Sequence, residues 1–461
     1  MSHVPYKIIS PELLEAAAGW APRYFVGLAA AALRAGRGGR SIGDLRGWIL
    51  EGWRVSDTPG ALTYDSRAAA TPIYRQANIG HLRLLPSEQH WSPPRIAGRW
   101  CARPDDVVLN KLVPVRAAFV SPNARRHPVD GNALIIRGLT TSAAVWVALC
   151  LNHPGYEQLL LVESGVLKRV GLGALEALRV PPVPPEMDGL AARVRDILDD
   201  ATLVSEALHR TREEANAATT TTSRTEHDLA GGSFFARDAV SNESWLPSAT
   251  ALRAEQSALE EDSGWVALDE LASFDDRTRL CHAPDGARVL RLSDVGDDLL
   301  APSAADAHAS ELIPSRTLAK PLVAGDVLLS TLGTSFRAAY ADEDMPPNTH
   351  PVDGWVRLRF RETPAAWALL LTTAALRSQA ARLTVGSAQQ FVPPDALRSL
   401  RVPAPSRDVR DRWQRAIEQH HAQRRSLDRR WSSLMNELAA LFDAVHAPFM
   451  PSPVRMKEAL R

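Results

Sequence analysis

Cysteine is scarce. The 461 residues carry three, Cys101, Cys150 and Cys281, too scattered to form a Cys-x-x-Cys pair. That excludes a zinc ribbon or a thioredoxin-type redox motif and leaves reduced thiols in a cytosolic protein as the reading. Charge of one sign is also lacking, because 53 Lys and Arg are balanced by 53 Asp and Glu. No global field draws the chain to nucleic acid, so any such contact must come from local patches. Long apolar runs are missing. The longest, Val26 to Leu33 and Ala365 to Leu376, fall short of the roughly 20 residues of a bilayer span. The N-terminus has no basic, apolar and small-residue leader. The expected location is cytoplasmic, with no membrane partner.

Catalytic signatures are equally sparse. There is no P-loop, Gly-x-Ser-x-Gly elbow or His-Glu-x-x-His motif, and no Asn/Asp-Pro-Pro-aromatic motif of the kind amino-methyltransferases use. Pro104-Asp105 begins like a nuclease core, but no suitably placed Glu-x-Lys follows. No metal site or cofactor is expected.

What is present is a repeat. His127-Pro128-Val129-Asp130-Gly131 recurs as His350-Pro351-Val352-Asp353-Gly354, and Leu178-Arg179-Val180-Pro181 as Leu400-Arg401-Val402-Pro403. Upstream, Asp106 to Leu109 matches Asp326 to Leu329, Arg116 to Phe119 matches Arg337 to Tyr340, and Arg75 with Ile79-Gly80 matches Arg291 with Val295-Gly296. The matches keep chain order, which identifies an internal duplication. In each copy Val107 to Leu109 or Val327 to Leu329 predicts a short buried strand. The His-Pro-Val-Asp-Gly segment reads as a turn, and Ala143 to Leu151 or Ala365 to Leu376 as a helix on the sheet. The repeated His127/Asp130 and His350/Asp353 are the best acid/base candidates, but Pro-Val between them is turn composition, so no catalytic residue is assigned.

A Pro-rich exit closes each copy and opens a helix. Leu190, Val194, Ile197, Ala201, Val204 and Leu208 alternate by four and three. Trp413, Ile417, His420, Arg424, Leu427, Trp431, Leu434, Leu438, Leu441 and Val445 do the same, which is a heptad seam. His420 and Arg424 interrupt it, either to set the register or, the favoured reading, as snorkelling side chains at a loose point. The second helix would reach roughly 50 Å at 1.5 Å per residue. The fold class is therefore α/β (α+β): two tandem modules separated by long helices expected to pair as an antiparallel coiled coil. The expected layout is an N-terminal extension over 1–36, a first module over 37–185, a central spacer helix over 186–215 and a flexible linker over 216–248. A second module follows over 249–405, then a C-terminal spacer helix over 406–446 and a tail over 447–461.

This order resembles the DNA-specificity subunit of type I restriction–modification complexes. Gly325 to Thr331 is similar to the family's Gly-Asp-hydrophobic strand. Gln389-Gln390-Phe391-Val392-Pro393 with Leu400 to Pro405 is similar to its exit from a recognition domain. Trp265 to Leu271 resembles the opening segment, with Ile42-Gly43-Asp44-Leu45 as its counterpart. The resemblance covers about residues 37 to 445. It implies two target recognition domains, each reading half of a bipartite site on double-stranded DNA. It also implies helices that hold them apart and dock DNA adenine methyltransferase subunits, a restriction or translocase subunit as a further partner, and no catalysis by the chain itself. The sequence departs from the pattern in its N-terminal extension, in Pro104-Asp105-Asp106 where Gly-Asp is expected, in a first exit without Gln-x-hydrophobic-Pro, and in charge.

From Arg75 to Arg126 nine basic residues face three acids; from Arg291 to Thr349 four face nine. Phosphate contacts supply much of DNA affinity, so the first module is the stronger reader. Base and phosphate contacts need Arg, Lys or polar side chains on groove-facing loops. The candidates are Lys111, Arg116, Arg125 and Arg126 in the first module and Arg316, Lys320, Thr334 and Arg337 in the second. Two other readings are a non-catalytic protein scaffold of a defence complex, supported by the acidic second module, and a stand-alone nuclease.

Overall fold

The computed structural model describes residues 38–45, 47–53, 71–85, 90–91, 98–164, 167–220, 264–275, 280–282, 287–295, 299, 305–306, 312–314, 321–331, 336–352, 354–384 and 391–446. The chain divides into two units, Met1–Thr202 with Ser426–Arg461, and Leu203–Arg425.

In the first unit β1 (Arg40–Ser41) is followed by β2 (Trp48–Glu51), β3 (Leu82–Arg83), β4 (Val107–Asn110), β5 (Ala117–Phe119) and β6 (Ala133–Arg137). Helices α1 (Thr141–Leu151) and α2 (Pro154–Leu160) and strand β7 (Arg179–Val180) complete the module. The sheet runs β2-β6-β4-β5-β3, antiparallel except for the parallel β3–β5 pair. Val107, Val108 and Leu109 are fully buried, as a short continuous apolar run predicts. Alternate residues serve opposite faces. Val108, Ala118 and Ile135 join Tyr74, Ile79, Ala102 and Val129 in one core cluster, while α1 packs on β3, β4 and β5. Thr140 caps α1 by accepting from Ala143 N at 3.4 Å. Asn152 ends it, its amide donating to Ala148 O at 2.8 Å and clamping Ala117 through both backbone groups. Helix α3 (Met187–Thr220) leaves the module.

The second unit repeats this plan. Its strands include β8 (Trp265–Ala267), β9 (Ala272–Asp275), β10 (Arg288–Leu290), β11 (Asp326–Ser330), β12 (Ala338–Tyr340), β13 (Thr349–Pro351), β14 (Trp355–Phe360) and, after the helices, β15 (Arg401–Pro403). Four of them form the sheet β9-β14-β11-β12. The β8–β15 pair corresponds to β1–β7. The core is duplicated almost residue for residue: Leu290, Val295, Leu322, Leu328 and Ala339 cluster where the first module has Tyr74, Ile79, Ala102, Val108 and Ala118. Leu82 and Leu299 share a left-handed backbone, at φ 58° and 60°. Leu299 O accepts from Tyr340 N at 3.2 Å, beside β12 as Leu82 lies beside β5.

The apolar run expected as one helix over Ala365 to Leu376 is two, α4 (Pro364–Leu371) and α5 (Ala374–Arg382). Thr372 and Thr373 divide them by donating their hydroxyls to Leu369 O and Leu370 O. The final long helix is α6 (Arg407–His446).

Within the first unit, Arg193 of α3 forks onto Glu437 of α6 at 2.6 and 2.8 Å, and Asp200 accepts from Arg430 at 2.7 Å. Within the second, Glu214 meets Arg412 at 3.8 Å and accepts from Trp413 Nε1 at 3.4 Å. In the first unit partner numbers fall on α6 as they rise on α3, so the helices run in opposite directions there. Val194, Ile197, Leu208, Trp413, Ile417, Leu434 and Leu438 are buried on the facing sides. His420 does not snorkel: it is 4% exposed, beside fully buried His421.

The His-Pro-Val-Asp-Gly segments also differ from the turn expected of them. His350 and Pro351 lie in β13, paired in parallel with β10; Pro128, Val129 and Asp130 bridge Cys101, Tyr74 and Trp53. Their apolar members satisfy the core, and the chain turns only after Asp130, whose carboxylate accepts from Asn132 N at 2.8 Å.

Candidate nucleic-acid interface

Each module is organised around one buried aspartate at the start of its central strand. Asp106, 1% exposed, takes a fork from Arg137, Nε at 2.9 Å and Nη2 at 2.6 Å, and a backbone bond from Arg103 N at 2.8 Å. Asp326, also 1% exposed, accepts from Arg359 Nε at 2.8 Å and Val323 N at 3.0 Å, with fully buried Arg357 at 3.6 Å. The family-like Gly-Asp step is thus a scaffold element. Burial raises the Asp106 carboxyl above its usual range against the opposing pull of Arg137. Burial also lowers Arg357, against Asp326 and Asp275. The first module's departure at Pro104-Asp105 is absorbed by conformation. Asp105 holds φ 63° where Gly325 holds φ 90°, a left-handed position that Asp tolerates better than most residues. Its carboxylate accepts from Thr141 Oγ1 at 2.8 Å.

The sequence-selected DNA residues separate into two groups. Lys111 and Arg116 lie at the far end of β4, where Arg116 N donates to Asn110 Oδ1 at 2.6 Å. Ser330 clasps Arg337 N in the same way at 2.9 Å. Lys111 is turned inward, its ammonium on Glu51 at 3.0 Å and Gly131 O at 2.8 Å, with 11% of the side chain exposed. Arg116 is exposed. Arg125 and Arg126 lie at the opposite end, on the loop after Val120, whose N–H bonds Asp106 O. Four strand residues, about 13 Å at the usual rise, separate the two ends. Both arginines are exposed. Their loop is held by Asn123 N on Asp199 at 3.0 Å and by the Tyr74 hydroxyl on Arg125 O at 3.2 Å. Burial pushes the Tyr74 phenol up to about 12.

In the second module Arg337 donates to Leu292 O at 3.2 Å and Val295 O at 2.9 Å, an internal brace. Arg316, Lys320 and Thr334 lie outside the described residues. The acidic excess is partly internal. Besides Asp326, Asp294 accepts from Arg291 N at 2.8 Å, Asp342 is bound by Arg425 and by His421 at 3.0 Å, and Asp344 by Arg425 at 2.7 Å. Burial alone would raise the Asp342 carboxyl, but the His421 hydrogen bond and the Arg425 charge bring it below its usual value.

The two repeated histidines have different surroundings. His350 is 2% exposed, bonds Asn348 Oδ1 at 3.0 Å, and is lowered by burial and by Arg357; Asp353 lies outside the described residues. His127 packs against the Tyr74 ring at 5.4 Å. Sequence reasoning missed Arg99 and Trp100, stacked at 4.2 Å. The signal was an Arg-Trp step inside the basic segment.

Among the described residues, no helix is long and apolar enough to cross a membrane. No protein-family model matches the chain, and no curated protein matches it. Among solved structures, the chain is similar to the HsdS subunit from Thermoanaerobacter tengcongensis at 14% identity and TM-score 0.26, over 88% of this chain and 96% of that one. It is likewise similar to a chain from work on complex assembly and conformational transition of the type I R-M system, at 14% identity and TM-score 0.26, over 88% and 98%. It is also similar to the type I restriction–modification system S subunit from M. genitalium, at 11% identity and TM-score 0.40, over 90% of this chain and 96% of that one.

Proposed function

We propose that this chain is the cytoplasmic DNA-specificity subunit of a type I-like restriction–modification or phage-defence complex. Its two modules read the two halves of a bipartite site, and the chain directs a partner adenine methyltransferase, and a nuclease or translocase where one is present, without catalysing a step itself. The observation that carries the reading is the duplication. One sheet order, one buried aspartate–arginine anchor and one core cluster occur twice, each module followed by a long helix. A reader of two half-sites needs two copies of one recognition unit, and α3 and α6 are proposed to pair as a coiled coil. Arg116, Arg125 and Arg126 are the first module's proposed contacts, and Arg316, Lys320 and Thr334 the second's. Lys111 and Arg337 belong to the same proposed set and also brace their own modules from within.

The scaffold reading rests on the second module's acids. Four of the nine, Asp294, Asp326, Asp342 and Asp344, are bonded within the unit, which removes much of its support. Methylome sequencing of a host with and without the chain tests the choice. A bipartite methylated motif that appears only with the chain is expected, and an unchanged methylome sinks the reading. Charge reversal at Arg125 and Arg126 should weaken methylation of that motif, whereas a scaffold would leave it intact.

A further inference from the structure

Beside the Arg125–Arg126 loop runs a second basic segment. Gly98–Trp100 forms one turn of 3-10 helix, and the exposed Arg99 lays its guanidinium over the Trp100 ring, 4.2 Å from the centroid. The backbone beneath is fastened at each step. Arg99 O and Cys101 O accept from Arg137 at 3.1 and 2.7 Å, Trp100 O from Val129 N at 2.9 Å, and Gly98 O from Arg103 Nη2 at 3.2 Å. Arg137 has 8% of its side chain exposed and is itself forked on Asp106. Ala102 N donates to His127 O at 3.0 Å, which aligns this segment with the one bearing Arg125 and Arg126. Arg99, Arg103, Arg125 and Arg126 are therefore exposed along one edge. Among the described residues near this edge, Asp105 is bonded to Thr141, Asp106 to Arg137 and Asp199 to Asn123 N.

A guanidinium resting over an indole ring has less rotamer freedom left to lose on binding an anion. Resting on the DNA-reading assignment above, we propose that Arg99 contacts a DNA backbone phosphate in the first half-site. Trp100 holds it ready, and Arg137 acts as a positioning residue through the Arg99 and Cys101 carbonyls. Because phosphate contacts carry no sequence information, this edge sets affinity and register.

The test uses the full chain co-purified with its methyltransferase partner, titrated with a duplex carrying the methylated motif and with an unrelated duplex over a salt series. For Arg99→Ala the plot of log affinity against log salt should be shallower by about 0.9, with both duplexes weakened alike. Arg99→Lys should keep the slope. Trp100→Ala should shift affinity in the Arg99→Ala direction by less. Arg137→Lys keeps a charge on Asp106 but cannot reach both carbonyls, so it should flatten the slope too. If it lowers only the unfolding temperature, the positioning role is overturned. An Arg99→Ala complex with wild-type slope, a loss confined to the motif duplex, or a Trp100→Ala variant equal to wild type overturns the phosphate contact while the DNA-reading assignment stands. A wild-type complex that prefers no duplex overturns that assignment, and this proposal with it.

Discussion

Asp106 and Asp326 occupy the same strand position and the same depth, yet the two modules neutralise them differently. Asp106 relies on one guanidinium, Arg137, which also holds the 98–101 segment. Asp326 is shared by Arg357, fully buried, and Arg359, with 44% of its side chain exposed. The docking of module on helix differs as well. Thr140 of the first module caps its own α1. In the second, Thr363 makes no side-chain cap, and the first N–H groups of α4 donate instead to Gln414 of α6, Ala365 N at 2.8 Å and Ala366 N at 3.3 Å. One skeleton thus tolerates different wiring around the same buried aspartate.

The largest test of this contrast is deletion of one guanidinium from each anchor. Arg137→Met strands a buried carboxylate and should cost about 3–5 kcal/mol. Arg359→Met leaves Arg357 beside Asp326 and should cost less than about 1.5 kcal/mol. Denaturant unfolding of the full chain, with hydrogen exchange to localise the loss, checks both; equal costs would remove the distinction.

A smaller effect separates the units by pH. In the first unit His153 packs on Phe442 at 4.8 Å and near His446, whose Nε2 shares a hydrogen bond with the Tyr156 hydroxyl at 3.0 Å. Burial, with His446 adding, depresses His153 from 6.5 to about 4. The folded state then binds fewer protons than the unfolded one between these values. The neutral ring's stabilisation is complete above about pH 6.5 and is lost as pH falls toward 4, on the order of 2 kcal/mol. His153→Gln should flatten that dependence in the first unit. The Asp342 carboxyl of the second unit, held low, loses its contribution only at more acidic pH, as it protonates. A pH series of hydrogen exchange that showed both units loosening together would contradict this order.

Next comes capping. Gln414→Ala leaves two helix N–H groups without their acceptor and should cost about 1–2 kcal/mol, against about 1 kcal/mol for Thr140→Ala. Gln414→Glu should recover most of the loss. The smallest effect is expected at the helix surface: Arg193→Ala breaks a fork whose partners are about half exposed and should change stability by less than about 1 kcal/mol.

The linear sequence determined the duplication, the buried central strands and the two long helices. Short-range apolar pattern and heptad spacing carry these directly, as Val107 to Leu109 and Trp413 to Val445 show. It did not reveal that the His-Pro-Val segments are extended core strands. Pro and Asp-Gly are turn formers locally, and only parallel pairing with Tyr74 or with Arg288–Leu290 overrides that preference. Nor did composition separate working charges from structural ones. Lys111 and Arg337 make internal bonds, and Asp326, Asp342 and Asp344 pair with arginines distant in sequence, none of which a composition shows. A charge count weighs every side chain equally. The fold decides which charges face solvent, because a buried charge must find its counter-charge across strands and helices distant in sequence.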